Sequence, residues 1–252
     1  VQPVYRRALL KLSGEALEGS QGHGIDPATL DAVADQLVDV CSLGVQLAVV
    51  IGGGNIFRGL AGAASGMERS RADTMGMLAT AVNCLAMEDA LLRKGQSCRV
   101  LTALPVGAAA SPFSRREALE RLEAGEVVLL AGGTGNPYFT TDTAAALRAL
   151  EVGADALLKA TRVDGVYDKD PEQHADARRF PQISYNEVLQ RRLRVMDLTA
   201  VTLCRDNGLP LVVFDLTRPG NIRRVIEGQD VGTRVVASRA AAAGPMLERH
   251  ER

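Results

Sequence analysis

Short apolar runs and helical stripes alternate along nearly the whole chain. Residues 5–12 (YRRALLKL) predict a buried strand that ends at Ser13-Gly14. Residues 26–43 open on Asp26-Pro27, a capping residue followed by a first-turn proline. Their apolar positions Leu30, Val33, Leu37, Val40 and Cys41 recur at helical spacing, and Gly44 stops the helix. Residues 45–51 (VQLAVVI) predict a strand that runs into Gly52-Gly53-Gly54-Asn55. A long helix over 70–94, a strand over 98–104 and a helix over 115–124 follow. The strand at 126–131 enters a second glycine-rich loop, Gly132-Gly133-Thr134-Gly135-Asn136-Pro137. Next come a helix over 141–151, a strand over 155–160, a loop over 162–182 and helices near 184–190 and 197–207. A strand at 210–215, a helix at about 219–227 and a short strand at 233–236 close the pattern. Strand and helix alternate, so the expected class is α/β, with a mainly parallel sheet covered by helices on both faces.

Composition changes this picture little. The 252 residues are 46% hydrophobic and 23% charged, with a net charge of -1. That length suits one large domain or two small lobes. The near-neutral balance gives no bulk electrostatic case for nucleic acid or an acidic membrane. The dense basic run Arg191-Arg192-Leu193-Arg194 reads as a solvated face. Cys41, Cys84, Cys98 and Cys204 are far apart in sequence and set among apolar neighbours, as buried free thiols of a reducing compartment would be. His23, His174 and His250 are isolated, which disfavours zinc and a histidine base. No apolar run approaches the roughly 20 residues of a membrane span, and the N-terminal residues lead into a strand rather than a leader's apolar region. These features point to the cytoplasm.

The candidate chemistry lies where strands end. Three glycine-bearing loops, Ser13-Gly14, Gly52 to Asn55 and Gly132 to Asn136, follow strand carboxyl ends. In open α/β sheets that edge binds ligands. Glycine lets backbone N–H groups approach an anion closely, and a following helix N-terminus adds partial positive charge. Each loop alone is consistent with a tight turn; three together suit the phosphates of two substrates. Neither GxxxxGK[ST] nor GxGxxG occurs, which disfavours P-loop kinases and dinucleotide-binding enzymes. Lys11, beside Ser13-Gly14, is either a surface charge at a strand end or an ammonium set against a moving phosphoryl group. Arg58 offers a bidentate phosphate contact. Asp142 and Asp197 each stand at a helix start, as caps or as carboxylates that organise a cation.

Six blocks in order carry a family resemblance: LLKLSGEAL (9–17), VVIGGGNIFRG (49–59), RADTMGMLATAVN (71–83), GTGNPYFTTDTAA (133–145), LLKATRVDGVYDKDP (157–171) and VMDLTA (195–200). Over about residues 5 to 236 the sequence resembles the bacterial uridylate kinases of the amino acid kinase superfamily. The resemblance implies a three-layer α/β/α sandwich, one catalytic domain over 1–236 and a charged tail over 237–252. It implies ATP as donor, UMP as acceptor and Mg2+ with the ATP.

On the donor side the matching positions are Lys11, Leu12, Ser13, Gly14, Gly54, Arg58, Thr161, Tyr167 and Asp170. Tyr167 suits adenine packing and Asp170 the donor ribose. On the acceptor side they are Gly53, Asp73, Thr134, Gly135, Asn136, Pro137, Tyr138, Phe139, Thr140 and Thr141, with Asp73 accepting from ribose hydroxyls. Lys11 is the expected stabiliser of the transferred group, with Asp142 and Asp197 organising lysine or magnesium and Lys159 a weaker candidate. Regulation is implied too: a homohexamer activated by GTP and inhibited by UTP, with Gly19, Ser20, Gln21, Gly22, His23 and Gly24 as the GTP-responsive segment. The long helix with Met75, Met77, Leu78, Val82, Leu85 and Met87 is the expected subunit contact or simply core. Arg162 departs from the lysine usual at its position. Rival readings are a carboxylate kinase of the same fold, a nucleotide-sensing module without catalysis, and nucleic-acid binding through the basic run.

Overall fold

The expected elements all form, at boundaries within a few residues of those read from the pattern. A computed structural model describes residues 2–58, 66–171 and 173–237; the expected tail, apart from its first residue, lies outside them. The described strands are β1 (Arg7–Leu12), β2 (Gln46–Ile51), β3 (Cys98–Thr102), β4 (Ser111–Pro112), β5 (Val127–Ala131), β6 (Ala156–Thr161), β7 (Gln182–Ser184), β8 (Leu211–Asp215) and β9 (Thr233–Val236). The described α-helices are α1 (Pro27–Cys41), α2 (Arg69–Arg93), α3 (Arg115–Glu123), α4 (Thr141–Glu151), α5 (Tyr185–Gln190), α6 (Leu198–Asp206) and α7 (Asn221–Ile226). The sequence pattern missed β4 and β7, which are two and three residues long at the two sheet edges. Strands that short carry no readable period.

The sheet runs β4-β3-β5-β2-β1-β6-β8-β9-β7, and all its pairs are parallel except β8 with β9. Both faces of the central strands are buried, because alternate residues pack into two separate apolar layers. On one face Leu10, Leu12, Val49, Leu129 and Phe214 meet Leu30, Val33 and Leu37 of α1, Cys84 and Met87 of α2, and Ile222 and Ile226 of α7. On the other, Leu9, Val50, Leu130, Leu157 and Val213 meet Ala118 and Leu122 of α3, Ala145 and Ala149 of α4, Val188 of α5 and Val201 of α6. Hence the strands read as continuous apolar runs rather than alternating ones.

Local signals act as expected. The Asp26 carboxylate caps α1 by accepting from Thr29 N–H at 2.8 Å. All four cysteines are free thiols, and burial pushes Cys84 up to about 12. One expectation needs correction. Helix α2 is long and apolar enough to cross a membrane by length and composition. Its buried residues Cys84, Met87 and Leu91 instead pack in the layer against the sheet.

Strand order locates the site before any side chain is considered. From β1 the chain winds to β2, β3 and β5 on one side, then crosses to β6 and β8 on the other. The reversal lies between β1 and β6, and crevices at such reversals open at the strands' carboxyl ends.

Candidate active site

Lys11 and Lys159 stand side by side at that reversal. β1 and β6 are parallel, and Lys11 pairs with Lys159 in register, so both side chains leave the same face of the sheet. Between them lies Asp142. Lys11 Nζ is 2.8 Å from Asp142 Oδ1, and Lys159 Nζ donates to Asp142 Oδ2 at 2.6 Å and to the Val195 carbonyl at 2.6 Å. All three side chains are 14% exposed or less. Burial favours the neutral acid of Asp142, but the charges of Lys11 and Lys159 outweigh it and hold the carboxyl below its usual 3.8. Burial pulls the Lys159 ammonium below its ordinary value, opposed by Asp142 and reinforced by the charge of Lys11.

Asp142 is not the helix cap. Thr140 caps α4, its hydroxyl accepting from Asp142 N–H at 3.0 Å and Thr143 N–H at 3.3 Å. The Asp142 carboxylate is therefore free to turn to the lysines, and it sits in the positive field of the first helical turn. Asp197 does cap α6, accepting from Ala200 N–H at 2.9 Å. Its carboxylate also accepts from the hydroxyls of Thr143, at 2.9 Å, and of Thr140. Asp197 thus fastens the start of α4 to the start of α6 and has no direct contact with Lys11 in its hydrogen bonds. The pairing of Lys11 with Asp142 was expected; the equal standing of Lys159 was not. A signal existed: LLKLS at 9–13 and LLKAT at 157–161 place a lysine and a hydroxyl at the same positions of two strand ends.

The glycine loops converge beside this centre. A Cβ at Gly14 would lie 2.4 Å from Asn55 Oδ1 and 2.8 Å from Gly54 N, so the first loop presses directly on the second. A Cβ at Gly53 would lie 2.7 Å from the Gly76 carbonyl of α2. Helix α2 then braces both loops with a polar stripe. Thr80 Oγ1 accepts from Gly132 N–H at 2.8 Å, and Asn83 Nδ2 donates to the Gly52 carbonyl at 2.7 Å and Asn55 Oδ1 at 2.8 Å. Asn55 Nδ2 returns a bond to Asn83 Oδ1 at 3.1 Å and reaches the Gly24 carbonyl at 2.6 Å. Replacing Asn83 with alanine removes a fully buried amide and leaves the Gly52 carbonyl unsatisfied. The expected loss is about 2–3 kcal/mol of stability, read from urea unfolding, together with weaker nucleotide binding.

Two clefts meet at the start of α4. The first, of about 530 Å³, is lined by Gly53, Gly54, Arg58, Asp73, Gly133, Phe139, Thr140 and Thr141, with Arg69, Met77 and Thr80. The second, of about 640 Å³, is lined by Asp142, Lys159, Arg192, Arg194, Met196 and Asp197, with an apolar wall of Val188, Leu189 and Leu193. The expected solvated run is thus more specific than a charged surface: Arg192 and Arg194 line a cleft beside Lys159, and Arg191 stacks over Phe180 at 5.3 Å. A third hollow of about 490 Å³ joins Ser13, Thr161 and Arg162 to α1.

Other sequence-derived positions fall as follows. Thr134 braces its loop, accepting from Asn136 N–H and donating to the Asn136 carbonyl, both at 3.1 Å; Gly135 N–H closes the turn onto the Gly132 carbonyl at 3.0 Å. Arg58 forms an ion pair with Glu15 and donates to the Gly54 carbonyl at 3.2 Å. Arg162 holds Glu18 at 2.7 Å. Tyr167 donates to Asp164 at 2.6 Å, and Tyr167 and Asp170 line none of the three hollows. Segment 19–24 is short 3₁₀ helix and turn, tied at Gly24 to the Asn55 backbone.

Comparison with known proteins agrees with this geometry. The amino acid kinase family model matches residues 6–215. Similar solved structures include a UMP kinase from Bacillus anthracis, 38% identical over 93% of this chain and 97% of that one, with a TM-score of 0.90. A UMP kinase from Ureaplasma parvum is 36% identical over 92% and 98%, with a TM-score of 0.87. A uridylate kinase from Archaeoglobus fulgidus is 28% identical over 90% and 99%, with a TM-score of 0.70.

Proposed function

This chain belongs to the amino acid kinase family, and we infer that it is a uridylate kinase, transferring a phosphoryl group from ATP to UMP. The observation that carries the reading is the pair of buried lysines on one carboxylate at the sheet reversal, flanked by a cleft that ends in Thr140 and Thr141. A phosphate oxygen of UMP attacks the γ-phosphorus of ATP. The bond from that phosphorus to the β–γ bridging oxygen breaks, and ADP leaves with the electron pair. The attacking oxygen is already ionised at neutral pH, so the protein needs no general base, in keeping with a site built without histidine. What the protein must supply is position and positive charge on the phosphoryl oxygens. Lys11 and Lys159 supply the charge. Asp142 fixes both ammonium groups, so that they do not have to reorganise as charge moves.

Magnesium fits as an ion carried by the donor's phosphates. Among the described residues no group of three or more His, Cys, Asp or Glu side chains forms a cage, and magnesium commonly keeps waters and phosphate ligands. The Asp142 carboxylate, whose Oδ1 is paired with Lys11 at 2.8 Å, would be the acidic group of the lysine centre available to orient a water of that ion. Bound there, the ion would offset charge on the donor phosphates.

In this reading the acceptor fills the cleft of Gly53, Asp73 and the 134–141 loop. The donor lies over Lys11 to Gly14 with Gly54 and Arg58, its base and ribose toward Thr161, Tyr167 and Asp170. Activation by GTP acts through residues 19–24, with UTP as an inhibitor; the bonds between Asn55 and Gly24 support the GTP assignment, because they join that segment to the glycine loop. Met75, Leu78 and Val82 form an exposed apolar stripe on α2, a fitting contact between subunits of a hexamer in the cytoplasm. The deciding experiment offers ATP with UMP, CMP, acetylglutamate or aspartate, with and without GTP and UTP. UMP is expected to be the preferred acceptor; preference for a carboxylate, or no transfer at all, overturns the reading.

A further inference from the structure

Arg69 has no role in the account so far, yet it stands in the acceptor cleft beside Asp73. It is the first residue of α2, and Asp73 lies one turn later on the same face. Arg69 Nε donates to Asp73 Oδ2 at 2.8 Å. The same oxygen accepts from the backbone N–H of Tyr138 at 2.8 Å. The Arg69 guanidinium also lies over the Tyr138 ring, 5.5 Å from its centroid. Tyr138 holds a φ of +73°, a left-handed conformation that costs a non-glycine residue about 1 kcal/mol or more. The residue is 66% exposed, so core packing does not impose that conformation.

These contacts share one consequence. Two donors hold Asp73 Oδ2, which fixes the rotamer of the carboxylate, while the hydrogen bonds of the described residues leave Oδ1 without a protein donor. Arg69 grips both ends of this arrangement: the carboxylate through Nε and the 134–141 loop through the tyrosine ring. We propose that Arg69 is a positioning residue for the acceptor, holding Asp73 and Tyr138 so that Asp73 Oδ1 meets the ribose hydroxyls of the nucleoside monophosphate. The proposal rests on the acceptor reading of this cleft. It adds that discrimination between ribose and 2′-deoxyribose comes from a latch across α2 and the loop, beyond the carboxylate itself.

The latch acts on ground-state and transition-state binding alike, because the ribose is remote from the reacting phosphorus. Removing it therefore raises KM for the acceptor and leaves kcat and KM for ATP within about twofold. Arg69→Met keeps the bulk of the stem and loses the charge and the planar donor. The expected result is an increase of about tenfold in KM for UMP, the worth of one charge-assisted bond, and a similar fall in the preference for UMP over 2′-deoxy-UMP. Arg69→Lys keeps a charge without the stacking fork and is expected to lie between the two. Unfolding curves confirm that each variant folds. Asp73→Asn, measured in parallel, separates the two ideas. If Asp73→Asn loses the ribose preference while Arg69→Met keeps both the preference and the KM, the latch is wrong and the acceptor reading stands. If Asp73→Asn itself leaves acceptor KM and ribose preference unchanged, the acceptor reading falls and the latch falls with it.

Discussion

Lys11→Ala is expected to lower kcat by about 10²–10³-fold, a loss of roughly 3–4 kcal/mol of transition-state stabilisation. The lysine is 8% exposed and stands 2.8 Å from Asp142, so its ammonium is fixed before substrate arrives. On the proposed mechanism, alanine removes one of the two charges assigned to the moving phosphoryl group. Lys159 stays paired with Asp142, so the carboxylate is not left without a partner, and the fold is expected to survive. This partition identifies the effect: kcat falls while the unfolding midpoint moves little. Near-normal turnover in a folded variant would remove Lys11 from the mechanism. Lys159→Ala is the mirror experiment, and comparable losses in the two would establish that the centre works as a pair.

Asp142→Asn has the opposite signature, because it acts on stability and turnover together. Asparagine fills the same space but leaves two buried ammonium groups facing each other without the carboxylate that pairs them. Breaking a buried pair by removing one partner typically costs about 3–5 kcal/mol, and a loss of that order is expected in urea unfolding at neutral pH. Turnover is expected to drop by at least about 10²-fold, since both lysines lose the group that orients them.

The pH dependence fixes the cause. In the native protein Asp142 is held below its usual 3.8, so the folded state binds fewer protons there than the unfolded chain. Its contribution to stability is complete above about pH 3.8 and is lost as pH falls through the lower folded value. The Asn variant lacks that acid-side component. On the alkaline side Lys159 is already depressed by burial and by Lys11, and loss of Asp142 depresses it further. The unfolded chain then binds the extra proton, and stability of the variant rises with pH up to the ordinary lysine value of 10.5. Parallel pH profiles for the two proteins would show that Asp142 does not carry the charge balance assigned to it.

Much of the site could be read from residue types and their places on predicted elements. Lys11 beside Ser13-Gly14 and the two later glycine loops each stood at a predicted strand end, where an α/β sheet puts ligands. Asp142 and Asp197 looked alike in sequence, each an aspartate at a helix start. Three-dimensional context separated them. Thr140, two residues earlier, takes the cap of α4 and releases Asp142 to the lysines, whereas Asp197 remains a cap and binds Thr143. Lys159 was undervalued because its importance depends on register. Only the pairing of β1 with β6 sets it beside Lys11. Arg69 gave no sequence signal, and Asn83 entered only as the last residue of the block 71–83 with no role of its own, since an arginine and an asparagine on a long helix are ordinary surface residues until the helix is docked.

The sequence by itself determined the order and type of the elements, because apolar period and glycine placement are local properties of the chain. It also determined the chemistry available at each strand end. Tertiary structure decided which of those ends meet. Strand order brought Lys11 and Lys159 onto the one carboxylate of Asp142, and docking of α2 locked the loops through Thr80 and Asn83. Such contacts join residues up to 148 positions apart, as between Lys11 and Lys159. No local pattern encodes them, since they arise only when the two apolar layers close over the sheet and fix its register.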